Sequence, residues 1–171
     1  GMIALCQMSF AAIGAWVVAW LNVNGVPGGL LLWTLIGGLA AVPFGIAIGL
    51  PALRLRGINL AIVTVGFAAA FDVILLSYTF PGQTKFIFVK RPDLLASDRA
   101  YFVFCVAVFA IIGLALDATV RRPIGASWFA LRNSERGTAA LGISVPQSKL
   151  TAFALSAFIA GISGGLLAGQ L

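Results

Sequence analysis

The chain has 171 residues, of which 61% are hydrophobic and only 9% are charged, and its mean hydropathy is +1.07. A soluble domain carries about 25% charged residues, so this composition excludes an ordinary water-soluble protein and favours the lipid bilayer as the surroundings of the chain. The net charge of +6 could suggest nucleic-acid binding. The basic residues, however, stand at the ends of apolar runs, as the positive-inside rule describes, and we predict no nucleic-acid partner.

Five apolar stretches follow one another, and each is close to the roughly 20 residues with which a helix crosses about 30 Å of hydrocarbon. They are residues 2–21, 28–50, 58–78, 100–120 and 150–171. The runs are too long and too uniform for strands. We predict an all-α, polytopic transmembrane helical bundle of about five spans that forms one domain over residues 1–171. The first run begins at once and the last has no hydrophilic flank, so we expect a fragment of a longer protein.

Charge in the connectors predicts the orientation. Alternation of the five spans places the connector 51–57 and the loop 121–149 on the same side of the membrane. That side carries seven of the eleven Lys and Arg residues, and the loop 79–99 on the other side carries four. Because Lys and Arg accumulate in cytoplasmic loops, we predict that the loop 121–149 and the N-terminus face the cytoplasm.

Small residues recur at four-residue spacing in two of the spans. One face holds Ala41, Gly45 and Gly49, and the other holds Ala157, Gly161, Gly165 and Gly169. Such faces let helix backbones approach closely in lipid. We expect static packing here rather than a seam that slides during transport. Pro43 lacks a backbone N–H and should kink or break the second span.

Few polar side chains occur inside the spans. Thr64 and Asp72 fall on one stripe of the third span, with Asn59 near its inner end. A carboxylate at this depth is costly and usually faces a cavity or a partner, so the three residues are candidates for lining a transport pathway. An Asp72 that reaches toward the outer loop is an equal alternative. For Asp117, close to Arg121 at the end of a span, we expect a salt bridge.

Catalytic and metal-binding arrangements are not indicated. The sequence has no His, and both cysteines, Cys6 and Cys105, lie inside apolar runs, where Cys usually behaves as a small hydrophobic residue. We predict no metal, no cofactor and no enzymatic activity.

The long basic loop contains a short helix with recognisable ends. Ser127 is a plausible N-cap for a helix over residues 128–141. Gly142 suits the position after its end, and Pro146 follows soon afterwards. Such a helix could dock into a partner or lie on lipid headgroups, and the residues alone favour the headgroups.

Two sequence blocks resemble a known family. ALRNSERGTAALGISVPQSKL (130–150), continued by TAFALSAFIAGISG (151–164), is similar to the coupling loop and following helix of ABC importer permeases, most closely those of the branched-chain amino-acid type. PALRLRGINLAIVTVGF (51–67) is similar to the L-R-L-R-G-x-Y-L-A-I-V-T-L-G-F of that family. Departures from the pattern include Asn59 for Tyr, Gly137 and Thr138 for Ala-Ala, and a missing Glu after the G-F pair.

The resemblance implies a membrane permease subunit of an ABC importer for branched-chain or related amino acids. Its implied partners are a second permease subunit, cytoplasmic ATP-binding subunits and an extracytoplasmic solute-binding protein, in a bacterial-type inner membrane. The sequence has no G-x-x-x-x-G-K-[ST] loop, so ATP hydrolysis is expected on a separate chain. The coupling helix would contact the ATPase through Arg132, Glu135, Arg136 and Gly142.

Two alternatives remain open at this point. A permease of the same superfamily for another small solute, such as a sugar, would share these short blocks. A polytopic membrane protein without transport activity, either an enzyme or an assembly subunit, would share the hydropathy. An enzyme is disfavoured because no carboxylate pair lies at membrane depth.

Overall fold

A computed structural model of the chain describes residues 6–53, 58–77, 89, 92 and 97–170. These residues form seven α-helices and no strand, which confirms the predicted all-α class. The helices are α1 (Gln7–Val23), α2 (Gly29–Ala52), α3 (Ile58–Ser77), α4 (Asp98–Val120), α5 (Pro123–Asn133), α6 (Glu135–Ala140) and α7 (Val145–Ala168).

Three helices of the described chain are long and apolar enough to cross a membrane. They are Gly29–Pro51, Asp98–Val120 and Val145–Ala168. Helix α1 and the apolar part of α3, Asn59–Ile74, are shorter. Residues 2–5 of the first predicted span and most of the predicted outer loop lie outside the described residues. The coarser prediction of a multi-pass membrane protein is supported, and the count of five spans stays a prediction.

Helices α1, α2 and α7 form the packed centre of the molecule. Leu30 lies beside Gly169 at one end of the α2–α7 pair, and Gly49 lies beside Leu150 at the other, so these two helices are antiparallel. Helix α1 runs in the direction of α7, because Gln7 donates a hydrogen bond to Ser156 while Val18 contacts Gly165. This arrangement agrees with the predicted alternation of the spans.

Glycines allow the three central helices to cross with their backbones in contact. A Cβ atom added at Gly161 would lie 2.9 Å from the carbonyl oxygen of Gly37 and 2.9 Å from the Cβ atom of Ala41. A Cβ atom at Gly14 would collide with the carbonyl oxygen of Gly161. The two small-residue faces expected from the sequence therefore pack against each other, and Gly14 adds a third helix that the spacing did not reveal.

Helix α2 continues through Pro43 instead of breaking there. The residues on either side of the proline explain this continuity. Ala41 packs against Gly161 and Gly45 packs against Ala157, so α7 supports α2 both before and after the lost hydrogen bond. Prolines inside membrane helices are tolerated where neighbouring helices provide such support.

Helices α3 and α4 lie at the periphery. Leu60 joins the buried cluster around Phe10 and Phe153, and Phe67 and Phe71 pack against it. Helix α4 contacts the centre near its start, where the Tyr101 hydroxyl donates a hydrogen bond to the Leu166 carbonyl. Most of the remaining α4 surface is exposed and apolar, including Phe102, Val103, Phe109, Ile111 and Leu114. Such a surface suits contact with lipid or with another membrane subunit.

Candidate functional site

The basic loop forms two helices and not the single helix predicted over residues 128–141. Helix α5 begins at Pro123, because proline has a fixed φ and is favoured in a first helical turn. Ser127 therefore lies inside α5 and donates a hydrogen bond to the Ile124 carbonyl (2.6 Å). The prediction that Ser127 is the N-cap is wrong for this reason.

Ser134 separates the two helices. Its backbone is extended, with φ −157° and ψ 119°, and its hydroxyl oxygen accepts a hydrogen bond from the backbone N–H of Gly137 (3.1 Å). Serine is a preferred N-cap because it satisfies one of the free N–H groups at a helix start. The interruption turns α6 away from α5, so the segment α5–α6 (residues 123–140) is bent and not a rod.

Gly142 ends α6 in the way predicted. Its φ is +76°, a conformation that glycine adopts without steric cost. The N–H of Gly142 donates to the Ala139 carbonyl (3.0 Å), and the N–H of Ile143 donates to the Thr138 carbonyl (3.3 Å). These two bonds make a Schellman motif. The motif reverses the chain within a few residues and leads it directly into α7.

Helix α7 begins at Val145, five residues before the predicted start of the fifth span at 150. Pro146 follows the end of the loop helix as expected, and it also lies in the first turn of α7, where its missing N–H costs nothing. Ser148 and Lys149 consequently belong to the helix. The connection between α4 and α7 is shorter than the predicted loop 121–149.

Polar contacts of two side chains, Glu135 and Trp128, fasten the segment α5–α6 to the start of α7, and Trp128 also lies 3.4 Å from the Thr151 hydroxyl. The Lys149 ammonium nitrogen lies 2.8 Å from Oε1 of Glu135, and the Lys149 side chain is only 1% exposed. The indole N–H of Trp128 donates to the Ser148 carbonyl oxygen (3.1 Å). The sequence analysis did not anticipate any of these contacts.

The four residues predicted to meet an ATPase divide into two pairs. Arg132 and Arg136 are exposed and present their guanidinium groups outward. Arg132 also lies in the last turn of α5, where a cation interacts favourably with the helix dipole. Glu135 is turned toward Lys149 and Gly142 forms the turn. The first pair is available to a partner, and the second shapes the segment.

Exposed apolar side chains accompany the two arginines. Phe129 on α5 is 55% exposed, and Leu141 at the end of α6 is 74% exposed. A surface that combines arginine with large apolar side chains is typical of protein interfaces.

The three candidate pathway residues on α3 are not brought together. Thr64 is buried, and its hydroxyl donates to the Ala61 carbonyl (2.9 Å). Asn59 and Asp72 are exposed. Their role as pathway residues stays a prediction. Elsewhere, the expected salt bridge between Asp117 and Arg121 is present at 2.8 Å.

Comparison with known proteins decides the family. A family model described as "Branched-chain amino acid transport system / permease component" matches residues 1–171. The chain belongs to this permease family. The resemblance carried by residues 51–67 and 130–164 is thereby confirmed.

Two curated relatives of this permease chain are similar over almost its whole length. The high-affinity branched-chain amino acid transport system permease protein LivM of Escherichia coli (strain K12) is 34% identical, over 99% of this chain and 47% of LivM. LivM of Salmonella typhimurium (strain LT2) is 33% identical, with the same coverage. The permease chain therefore spans about half the length of the curated relatives it matches. No solved structure matches it.

Proposed function

We propose that this chain forms part of a permease subunit of an ABC importer that carries branched-chain or related amino acids across a bacterial-type inner membrane. The observation that carries the proposal is the family match over residues 1–171. The names of the relatives specify high-affinity branched-chain amino acid transport, and this substrate class is transferred here as part of the proposal.

The proposed topology has five crossings, with the segment α5–α6 on the cytoplasmic side. The antiparallel pairing of α2 and α7 supports it, because Gly49 and Leu150 meet at the same end of the bundle. Helix α1 runs parallel to α7, as an inside-to-outside crossing requires. Helices α1 and α3 are the two crossings that complete the count of five.

The proposed docking surface for an ATP-binding subunit is the exposed face of the segment α5–α6. Arg132 and Arg136 would make charged hydrogen bonds to the ATPase, since a guanidinium group can bind a carboxylate through two N–H groups. Phe129 and Leu141 would supply apolar contact. Glu135 and Gly142 would hold the shape of the surface. The ATPase would hydrolyse ATP, and a solute-binding protein would deliver the amino acid from the opposite side.

The proposed pathway contribution comes from α3, through Asn59, Thr64 and Asp72. A carboxylate in a membrane helix is costly unless it faces water or a polar partner, and Asp72 is exposed in this chain. A second permease subunit that packs against α3 would enclose Asp72 between the two subunits. The outward-facing part of the pathway would then be shared by both.

The proposal is tested with the full-length protein reconstituted in liposomes with its ATP-binding subunits and its solute-binding protein. We expect ATP-dependent uptake of radiolabelled leucine. The double variant Arg132→Ala/Arg136→Ala should bind the ATPase about tenfold more weakly, which corresponds to a loss of about 1.4 kcal/mol for the two side chains together, because arginine is enriched among the residues that contribute most to protein interfaces. Arg122→Ala, an exposed arginine at the N-cap of α5, is the matched control.

Three results would count against the proposal. Uptake of a sugar without uptake of leucine, isoleucine or valine would contradict the substrate class. Absence of any ATP-dependent uptake by the wild-type protein would contradict the importer function. Equal ATPase binding by the double variant and the wild type would remove Arg132 and Arg136 from the docking surface.

A further inference from the structure

Lys149 is a buried cation to which the proposed function assigns no role. Its side chain is 1% exposed and its ammonium nitrogen lies 2.8 Å from Glu135. An unpaired ammonium group inside a protein carries a large desolvation cost. A partner subunit cannot reach this side chain, so any effect of Lys149 on transport must pass through its neighbours in the chain.

The ion pair between Glu135 and Lys149 joins the segment α5–α6 to the central bundle of α1, α2 and α7. Glu135 is the first residue of α6, which carries the exposed Arg136. Lys149 lies in α7, which packs closely against α1 and α2 through Gly161 and Gly165. The Trp128 hydrogen bond to the Ser148 carbonyl ties α5 to the same turn of α7. Both helices of the segment α5–α6 are therefore anchored at the start of α7.

Stability alone does not explain a charged pair at this position. An apolar pair of similar volume often stabilises a protein as well as a buried ion pair does, because it avoids the desolvation of two charges. An ion pair differs in being directional, so it fixes one register between two helices. In a short segment that ends in a turn at Gly142, such a fixed register determines whether a force on α6 displaces α7.

We propose that Lys149 is a positioning residue for transport. Its ion pair with Glu135 makes α6 move as one body with α7, so that displacement of the segment α5–α6 reaches the α1–α2–α7 bundle. This inference rests on the proposed function for its role in transport. The mechanical part, the attachment of α6 to α7, is measurable without any partner.

The first test measures backbone amide exchange in the purified full-length protein in detergent. The Lys149→Met variant keeps an unbranched side chain that is one atom shorter and removes its charge. We expect amide exchange across residues 135–143 to become at least about tenfold faster, since loss of a local contact raises the population of locally open states. Exchange in α1 and α2 should stay unchanged. Lys149→Arg, which retains the positive charge, should restore most of the protection.

The second test measures coupling in the reconstituted transporter. For Lys149→Met we expect the affinity for the ATPase to stay within about twofold of the wild-type value. The transport ratio, which is the amount of leucine transported per ATP hydrolysed, should be at least about fivefold lower. A fivefold change is at the small end of measured couplings between distant sites. Lys149→Arg should recover most of the ratio. Arg121→Met, which removes the exposed pair with Asp117, is the matched control and should leave the ratio unchanged.

The results separate the inference from the function on which it rests. Unchanged exchange over residues 135–143 in Lys149→Met would overturn the attachment, whether or not the wild type transports leucine. An unchanged transport ratio, or an equal loss in Lys149→Met and Lys149→Arg, would overturn the positioning role. A wild-type protein without ATP-driven uptake would contradict the proposed function and, with it, any role of Lys149 in transport.

Discussion

Single residues in and beside the segment α5–α6 illustrate which contacts the sequence could predict. Gly142 was predictable, because a glycine after a helical run is the commonest residue in the left-handed turn that ends a helix. The partner of Glu135 was not. Lys149 lies fourteen residues later, beyond a chain reversal, and no local spacing rule links residues across such a turn. Ser134 could have been identified as the break between two helices, since Asn133 and Ser134 both favour caps over helix interiors.

Replacing Gly142 by alanine should weaken the turn between α6 and α7. At a φ of +76° an added Cβ atom is strained, at a cost of about 1–2 kcal/mol. We expect Gly142→Ala in the full-length protein to unfold at lower temperature in detergent and to be cleaved faster by protease near residue 142. Gly137→Ala is the control, because a Cβ atom there meets Ser134 at an ordinary 3.4 Å and alanine favours helix. Equal behaviour of the two variants would contradict the role of the turn.

At the scale of helices, hydropathy predicted α2, α3 and α4 to within about two residues at each end, while α7 begins five residues before the predicted span. The small-residue faces of α2 and α7 were visible because four-residue spacing repeats along one side of a helix. The contribution of Gly14 was not visible, since one glycine in α1 gives no periodic signal. Proline alone did not show where helices end. Pro43 does not break α2, and Pro146 lies in the first turn of α7, because tertiary support and helix position determine what proline does.

The close crossing of α2 and α7 predicts that the stability of the protein depends strongly on the size of the side chain at Gly161. Valine there would push against Gly37 and Ala41, whose atoms lie 2.9 Å from the position of the added Cβ atom. Overpacking of this kind costs about 1–3 kcal/mol. We expect Gly161→Val in the full-length protein to lower the midpoint of thermal unfolding, measured by tryptophan fluorescence in detergent.

Gly113→Val is the matched control for the crossing. Both positions are glycines inside long apolar helices, and no atom lies within 4 Å of a Cβ atom added at Gly113. The midpoint of Gly113→Val should therefore stay near the wild-type value. An equal decrease in both variants would show that valine acts through helix propensity and not through packing between helices.

At the scale of the whole molecule, composition predicted a membrane protein, because so few charged residues cannot cover a water-exposed surface, and the length of the apolar runs predicted helices. The resemblance to the family came from two short blocks, and the described structure adds how one of them folds. In the second block along the chain, the segment α5–α6 is bent at Ser134 and fastened to the central bundle by Trp128 and Lys149. Arg132 and Arg136 are left exposed on it. Hydropathy contains no information on such contacts, which depend on the path of the chain between helices.

The central claim is that the segment α5–α6 docks on an ATP-binding subunit. Cysteine cross-linking tests it most directly. In the full-length complex, with Cys6 and Cys105 replaced by alanine, Arg136→Cys should cross-link to the ATP-binding subunit in a yield that changes when ATP is added. Phe109→Cys, on the exposed apolar face of α4, should give no such product. Absence of a cross-link from position 136, or an equal yield from position 109, would contradict the account.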